Sequence, residues 1–369
     1  MNGNNTAHLP GLNGLRAIAA ISVVWGHCFQ NTFGNWGIKG IKIPINIDGV
    51  TLFFVISGFL ITFLLLKERD EVKTINIPKF YMRRILRIWP LYFGYILIAA
   101  LTLYICYSEK IFYGNTIWYY AFFAANIPFI LAIAPWVIVH YWSLGVEEQF
   151  YLFWPWIIKK CKKRKLLYTT IALWCCWLIC KWGSLILGGK CIFYRFFSTT
   201  RFDCMMIGAI GAILFHEKRT WYINLTTNKI IDTLAWTAVI LSNIYMDLIP
   251  APIRHQFVSI VSLVLIMNQV CKKSIINLEN HFFDHIGRIS FGIYVIHPLI
   301  IHLLSKLYSS YNFVGSAIVQ CIIIYLGITL VTIGVATLCY FFYEKPFLNL
   351  KRKFAVIDSR DSMLNPHKL

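Results

Sequence analysis

Long apolar runs without any charged side chain divide this sequence and limit the folds open to it. Three of them extend from Ile88 to Ser108, from Ile111 to Val146 and from Leu307 to Tyr343. Runs of about 18 or more such residues are long enough to cross a bilayer as an α-helix. Because backbone polar groups must be satisfied within each segment in hydrocarbon, we predict an all-α membrane protein.

Composition and charge support this class and argue against others. Of the 369 residues, 58% are hydrophobic and only 14% are charged, whereas about a quarter are charged in soluble proteins. The net charge is +19, but the cations cluster between apolar runs, which is the pattern that orients membrane proteins. We therefore expect the lipid bilayer, and no nucleic acid, as a partner. The eleven cysteines lie mostly in apolar runs, so we interpret them as small hydrophobic residues and expect no metal.

The charge pattern also tests the number of spans. Eleven apolar segments are candidates: 13–33, 49–67, 80–107, 115–135, 144–160, 165–187, 201–216, 231–248, 255–271, 287–306 and 315–343. If all of them crossed, the basic stretch 159–165 would face outward, against the positive-inside rule. We therefore predict a bundle of about ten transmembrane helices plus one re-entrant or half-span segment at 115–135, which contains Pro128 and ends at Pro135. Both termini would then be cytoplasmic.

Arg16 and His27 lie eleven residues apart in the first apolar run. On a helix this places both on one face, about 16 Å apart along the axis. Neither is stable in lipid, so both are expected to face a wet or protein-lined cavity. An imidazole can accept a proton from a hydroxyl or carry an acyl group. The alternative for His27 is a structural hydrogen bond to a neighbouring helix.

Three arginines, Arg83, Arg84 and Arg87, lie at the predicted cytoplasmic mouth of the third span. Arg84 and Arg87 are three residues apart and share a helix face. Guanidinium groups match phosphate oxygens, so this mouth could bind a nucleotide-type donor such as coenzyme A. The alternative is simple anchoring of the helix at the membrane interface.

Two adjacent carboxylates, Glu147 and Glu148, open another apolar helix. They could favour the helix N-terminus, pair with buried Arg16 or Arg201, or orient His27. Because adjacent side chains point about 100° apart, we expect the two carboxylates to have different partners.

Five further positions carry predictions. Ser57 and Gly58 favour close helix approach, and Arg201 with Asp203 favours an internal ion pair. His297 precedes Pro298, and we expect it either to face the cavity or to cap carbonyls that the proline frees.

Taken in order, these segments resemble the acyltransferase-3 family of integral membrane O-acyltransferases. The matching motifs are Gly11-Leu12-Asn13-Gly14-Leu15-Arg16 through His27, Phe53-Phe54-Val55-Ile56-Ser57-Gly58-Phe59-Leu60, Arg84-Ile85-Leu86-Arg87, Trp142-Ser143-Leu144 with Glu147-Glu148-Gln149-Phe150-Tyr151, Arg201-Phe202-Asp203, Gly292-Ile293-Tyr294 with His297-Pro298, and Tyr343-Glu344-Lys345-Pro346.

The resemblance implies ten core helices in a transmembrane acyltransferase domain at 1–347, followed by a short basic cytoplasmic tail at 348–369. It implies functional importance for Arg16, His27, Arg84 and Arg87. Thr51 and Gly145 stand where the resemblance leads us to expect Asp and Ser. Many relatives carry an additional hydrolase-like domain, and we expect this chain to be the stand-alone form.

The expected function is transfer of an acyl group, most often acetyl, from cytoplasmic acyl-CoA (acetyl-CoA) to a carbohydrate hydroxyl. The expected acceptor is a surface or lipid-linked glycan such as O-antigen or exopolysaccharide, and the expected location is the bacterial cytoplasmic (inner) membrane. His27, Arg16, Glu147 and Glu148 are the predicted catalytic residues, and Arg84, Arg87 and Arg83 the predicted donor-binding residues. Direct transfer and an acyl-His27 intermediate both stay open. The alternative function is a transporter or exporter of polysaccharide or lipid-linked sugar.

Overall fold

A computed structural model of the chain describes residues 8–35, 48–108, 110–112, 114–188, 191–245, 249–310 and 317–357. Within these residues the fold is helical, with no β-strand. The helices are α1 (Leu12–Asn35), α2 (Gly49–Val72), α3 (Ile77–Tyr107), α4 (Thr116–Ala121), α5 (Asn126–Ile130), α6 (Tyr141–Lys160), α7 (Lys163–Gly188), α8 (Ile192–Thr200), α9 (Phe202–His216), α10 (Thr220–Thr226), α11 (Lys229–Tyr245), α12 (Ala251–Val270), α13 (His281–Arg288), α14 (Ser290–Ser310), α15 (Ala317–Cys339) and α16 (Lys345–Arg352).

Six helical stretches in the described part of the chain are long and apolar enough to cross a membrane. They are Gly49–Val72, Ile77–Cys106, Lys163–Gly188, Ile192–His216, Ala251–Val270 and Val319–Arg352. A seventh would be the pair α13 and α14, which is bent by 65° at its junction. The predicted ten spans are therefore not confirmed. Helix α11 has only 17 residues, and α6 contains Glu147 and Glu148, which make it more polar.

The segment predicted not to cross as one helix is divided into short pieces. Helices α4 and α5 have six and five residues, and a short 3₁₀ turn, Trp136–Ile138, follows them. Such lengths are far below a membrane span. Buried side chains cover the loose backbone here: the Tyr92 hydroxyl donates to the Tyr120 carbonyl at 2.9 Å, and the Tyr95 hydroxyl to the Val137 carbonyl at 3.1 Å. Protein, rather than lipid, satisfies these carbonyls, as irregular backbone at membrane depth requires.

Small residues allow α2 and α9 to cross in close contact. A Cβ atom on Gly58 would collide with the Met205 backbone, and one on Gly208 would collide with the Val55 carbonyl. Backbones can approach this closely only where side chains are small. The predicted role of Gly58 in helix approach is therefore confirmed, and the crossing makes α2 a rigid wall of the bundle.

Two junctions fix the start of α1 and the segment after α15 within the bundle. Gly287 at the end of α13 lies against the backbone of Asn13, which fixes the start of α1 beside the α13–α14 bend. At the other junction a π-helical segment, Tyr340–Glu344, leads into α16, and the Phe354 carbonyl accepts a hydrogen bond from Arg83 at 2.9 Å. The segment after α15 is thereby tied to the start of α3.

Candidate active site

A cavity of about 490 Å³ extends into the bundle along one face of α2. Its lining on α2 extends from Glu68 to Val50, a distance of about 27 Å at 1.5 Å per helical residue. We call the end at Glu68 the basic mouth and the end at Phe53, Ser143 and Tyr294 the inner end. The cavity is long and narrow, so an extended ligand fits its shape better than a compact one.

Cations dominate the cavity wall. Seven Lys or Arg side chains and three carboxylates line it among the described residues. The cations are Arg16, Arg83, Arg84, Arg87, Arg288, Lys351 and Arg352, and the carboxylates are Glu68, Glu147 and Asp284. Low-dielectric walls of one charge sign concentrate ligands of the opposite sign. The site is therefore suited to a polyanion.

The three neighbouring arginines of α3 have different surroundings. Arg83 forms an ion pair with Glu68 at 3.1 Å and also holds the Phe354 carbonyl. Arg84 lies 5.8 Å from the ring centres of both Phe80 and Tyr151. Its Nε atom is buried without a hydrogen-bond partner. Arg83 therefore has a structural role in this conformation, whereas Arg84 keeps its donors for a ligand.

The adjacent carboxylates of α6 point in different directions, as their spacing predicts. Glu147 lines the cavity and accepts hydrogen bonds from Ser57 at 3.0 Å and Tyr151 at 3.3 Å. Glu148 is not part of the cavity lining, and its Oε1 atom is buried without a hydrogen-bond partner. Of the alternatives for these two carboxylates, pairing with Arg201 is wrong, because Arg201 binds Asp48. Pairing with Arg16 and orientation of His27 stay predictions.

Arg16 of α1 lies in the cavity wall. Its Nη1 atom donates to the Asn13 side chain at 3.2 Å, and Asn13 in turn donates to Asp284 at 3.2 Å. This chain of contacts links α1 to α13 and orients the guanidinium. The prediction that Arg16 faces a cavity is therefore confirmed for this structure.

The prediction that His27 faces the same cavity as Arg16 is wrong, because His27 does not line this cavity and instead contacts a histidine of the neighbouring α14. The Nδ1 atom of His27 lies 2.8 Å from Nε2 of His297, the ring centres are 4.9 Å apart, and the two ring planes are inclined by only 23°. His140 is next to them, with its ring centre 5.3 Å from that of His297. Tyr294 separates this histidine cluster from the cavity: it lines the inner end, and its ring centre lies 5.9 Å from that of His297.

A second polar network lies at the start of α2, outside the cavity. Asp48 accepts hydrogen bonds from His255 at 2.7 Å and from Arg201 at 3.2 Å. Thr51 also donates to it, through both its backbone nitrogen and its hydroxyl. The resemblance led us to expect a carboxylate at position 51. The structure has a carboxylate about one helical turn earlier, at Asp48.

The predicted ion pair between Arg201 and Asp203 is wrong. Arg201 lies at the junction of α8 and α9 and has a positive φ of 43°. Its side chain therefore points away from the helix face on which Asp203 packs against α7. Asp203 instead lies 3.8 Å from Lys181 of α7 and accepts a hydrogen bond from Gln256.

Gly145 fits its site for a steric reason, because a Cβ there would come within 2.8 Å of the Phe123 carbonyl.

Several residues of the site carry no signal in the sequence alone. Arg288 and Arg352 belong to the cavity wall, although each lies in a basic stretch that is typical of membrane anchoring. Ser143 and Tyr294 meet at the inner end with their hydroxyls 2.5 Å apart, yet 151 residues separate them in the chain. Only motif resemblance draws attention to the segments that contain Ser143 and Tyr294, and it does not assign them a role.

A profile described as an acyltransferase domain matches residues 9–341 of the chain. The chain belongs to the acyltransferase-3 family. The matched range includes α1 to α15 and the cavity residues of α1, α2, α3 and α6. No solved structure matches the chain.

Individual relatives match a smaller part of this chain. O-acetyltransferase OatA of Staphylococcus aureus, strains NCTC 8325 and COL, is 33% identical over 163 residues, which is 41% of this chain and 25% of those proteins. A second S. aureus COL protein, named only provisionally as an O-acetyltransferase, is 33% identical over 162 residues with the same shares covered. The aligned part therefore spans about a quarter of the length of these curated relatives.

Proposed function

We propose that this protein is a membrane O-acetyltransferase that moves an acetyl group from acetyl-CoA at the basic mouth to a glycan hydroxyl on the other side of the membrane. The single observation that carries the proposal is the long cavity with its excess of cations, found in a member of the acyltransferase family. Acetyl-CoA combines several phosphate charges with an extended arm, and both properties match this shape.

In the proposed mechanism the residues of the cavity divide the work. Arg84 and Arg87 bind phosphate oxygens, and the arm follows α2 toward the inner end. Arg16 holds the pantetheine end of the arm, because it lies about 16 Å along α1 from His27. Glu147 holds Ser57 and Tyr151 in the wall and compensates part of the cation excess.

His27 is the proposed general base. It accepts the proton of the acceptor hydroxyl while the hydroxyl oxygen bonds to the acetyl carbon and the carbon–sulfur bond breaks. The proton then passes to the departing thiolate. Because Tyr294 lies between the cavity and the histidine cluster, its ring has to move aside for this transfer.

The proposal is tested by mass spectrometry of surface polysaccharide from cells with and without the gene. We expect acetyl esters to disappear on deletion, to return with the wild-type gene and to stay absent with His27→Ala, since loss of a general base costs roughly 10²- to 10⁴-fold in rate. Protein in the membrane is quantified in each strain, and His281→Ala, at an exposed position, serves as the matched control. Unchanged acetyl esters after deletion, with altered export of the glycan, would favour a transporter instead.

A further inference from the structure

The contact between His27 and His297 joins residues that are 270 positions apart. His27 belongs to α1 and His297 to α14, and their nitrogens are at hydrogen-bond distance, 2.8 Å. His297 is fully buried. A hydrogen bond between two imidazoles requires one nitrogen to donate and the other to accept, so the geometry constrains where the protons are.

The proton position on His297 follows from its second contact. Its Nδ1 atom lies 3.2 Å from the backbone carbonyl oxygen of Ile293. A carbonyl oxygen can only accept a hydrogen bond, so Nδ1 carries the hydrogen. A neutral imidazole has a single N–H, and a charged one with no anion beside it is costly in a fully buried site. The Nε2 atom of His297 is therefore an acceptor.

His140 does not compete for that acceptor. Its Nε2 atom lies 3.1 Å from the Val295 carbonyl oxygen, so its own N–H is used there. Its ring meets that of His297 nearly edge-on, at an interplanar angle of 63°. The hydrogen that Nε2 of His297 accepts consequently comes from Nδ1 of His27.

We propose that His297 is a positioning residue that fixes neutral His27 as the Nδ1–H tautomer, so that Nε2 of His27 is the atom that accepts the hydroxyl proton. The catalytic part of this inference rests on the proposed function. His297 gives up no proton in the reaction: its Nε2 accepts from His27 before and after the proton reaches Nε2 of His27. The positive charge formed on His27 strengthens this hydrogen bond, which stabilises the transition state.

The tautomer is tested without any activity assay. The full chain is labelled with ¹⁵N-histidine, reconstituted in lipid bilayers and studied by solid-state NMR above the pH at which histidine is charged. The His27 signals are assigned by their loss in His27→Asn. We expect a protonated Nδ1 and a bare Nε2 on His27, and the same in His140→Phe as the matched control. A protonated Nε2 on His27 in the wild-type protein would overturn the inference, whatever the acetyl-transfer experiments give.

Variants of His297 test the catalytic consequence. His297→Leu removes the acceptor, so we expect kcat to fall by between about 10-fold and 10⁴-fold, the range for losing the partner that orients a functional histidine. The KM for acetyl-CoA should stay within twofold, because the donor cavity is unchanged. His297→Gln retains an acceptor oxygen and should restore much of kcat and the Nδ1–H signal of His27. If Leu and Gln variants have the same kcat at equal folded amounts, His297 has no positioning role.

Discussion

At the residue scale, the arginines of α3 differ in their neighbours. Arg83 is engaged by Glu68 and by the Phe354 carbonyl. The Nε atom of Arg84 is buried without a hydrogen-bond partner, and Arg87 lines the same cavity. A buried guanidinium N–H without an acceptor is costly unless a ligand or water binds it.

Because of this difference, we expect equivalent substitutions to change different properties. Substitution of Arg84 or Arg87 should weaken ligand binding, and substitution of Arg83 should lower stability. Arg84→Gln and Arg87→Gln should each weaken acetyl-CoA binding by roughly 10- to 100-fold, because each removes a charge-assisted hydrogen bond of about 1.5–3 kcal/mol. Isothermal titration calorimetry on the detergent-solubilised protein measures this effect. Arg219→Gln, at an exposed ion pair with Glu217, is the matched control and should bind normally.

Arg83→Gln should instead lower thermal stability, since it leaves the buried carboxylate of Glu68 without its cation. Normal acetyl-CoA affinity in both Arg84→Gln and Arg87→Gln would contradict the assignment of the donor phosphates to this pair.

At the element scale, the close crossing of α2 and α9 determines the shape of the site. One face of α2 lines the cavity, whereas Gly58 on another face of α2 packs against α9. Widening this crossing would displace α2 and with it Ser57, which bonds to Glu147. The close contact at these small residues therefore limits how far the α2 side of the cavity can move.

Glycine substitutions test this dependence. Gly58→Ala should destabilise the protein by about 1–3 kcal/mol, because the added Cβ collides with the Met205 backbone, which cannot move without shifting α9. Gly183→Ala on α7 meets no atom within 4 Å and should be neutral or slightly stabilising. Thermal unfolding followed by circular dichroism compares the melting temperature of each variant with that of the wild-type protein. Equal melting temperatures would show that the crossing tolerates a wider spacing.

At the scale of the whole molecule, the basic residues lie mainly on one side of the bundle. Arg69, near the end of α2, donates to the Ile158 carbonyl at 2.7 Å, beside the basic stretch 159–165. Arg83 at the cavity mouth pairs with Glu68 near the same end of α2. Lys272 pairs with Glu279, which also contacts His8 of the cavity lining. Ser108 ends α3 at the far side, after 31 helical residues. By the positive-inside rule, the basic side should face the cytoplasm.

Labelling of single cysteines with a membrane-impermeant maleimide tests this orientation. In a background with the native cysteines replaced, Ser108→Cys should react in intact cells. Lys272→Cys, with a side chain 65% exposed, should react only after permeabilisation. The reverse pattern would place the donor cavity outside the cell and would exclude cytoplasmic acetyl-CoA as the donor.

Local patterns in the sequence determined a large part of this protein. Apolar runs predict its helical membrane class, small residues at Ser57 and Gly58 predict a close helix approach, and the motif order predicts the family. A cation in an apolar run predicts that Arg16 faces a cavity, although His27, predicted to share that cavity, does not line it. Adjacency predicts that Glu147 and Glu148 diverge. Each of these properties depends on residues within a few helical turns of one another, which is why periodicity and composition reveal them.

Only the tertiary structure decided which partner each charged or titratable group has. The pairs His27 with His297, Arg201 with Asp48, and Glu147 with Ser57 join positions 270, 153 and 90 residues apart. Helical periodicity gives the face on which a side chain lies but not the helix that packs against that face. The number of spans was also beyond the sequence pattern, because a helix buried among others, such as α6, can keep polar residues that lipid would exclude.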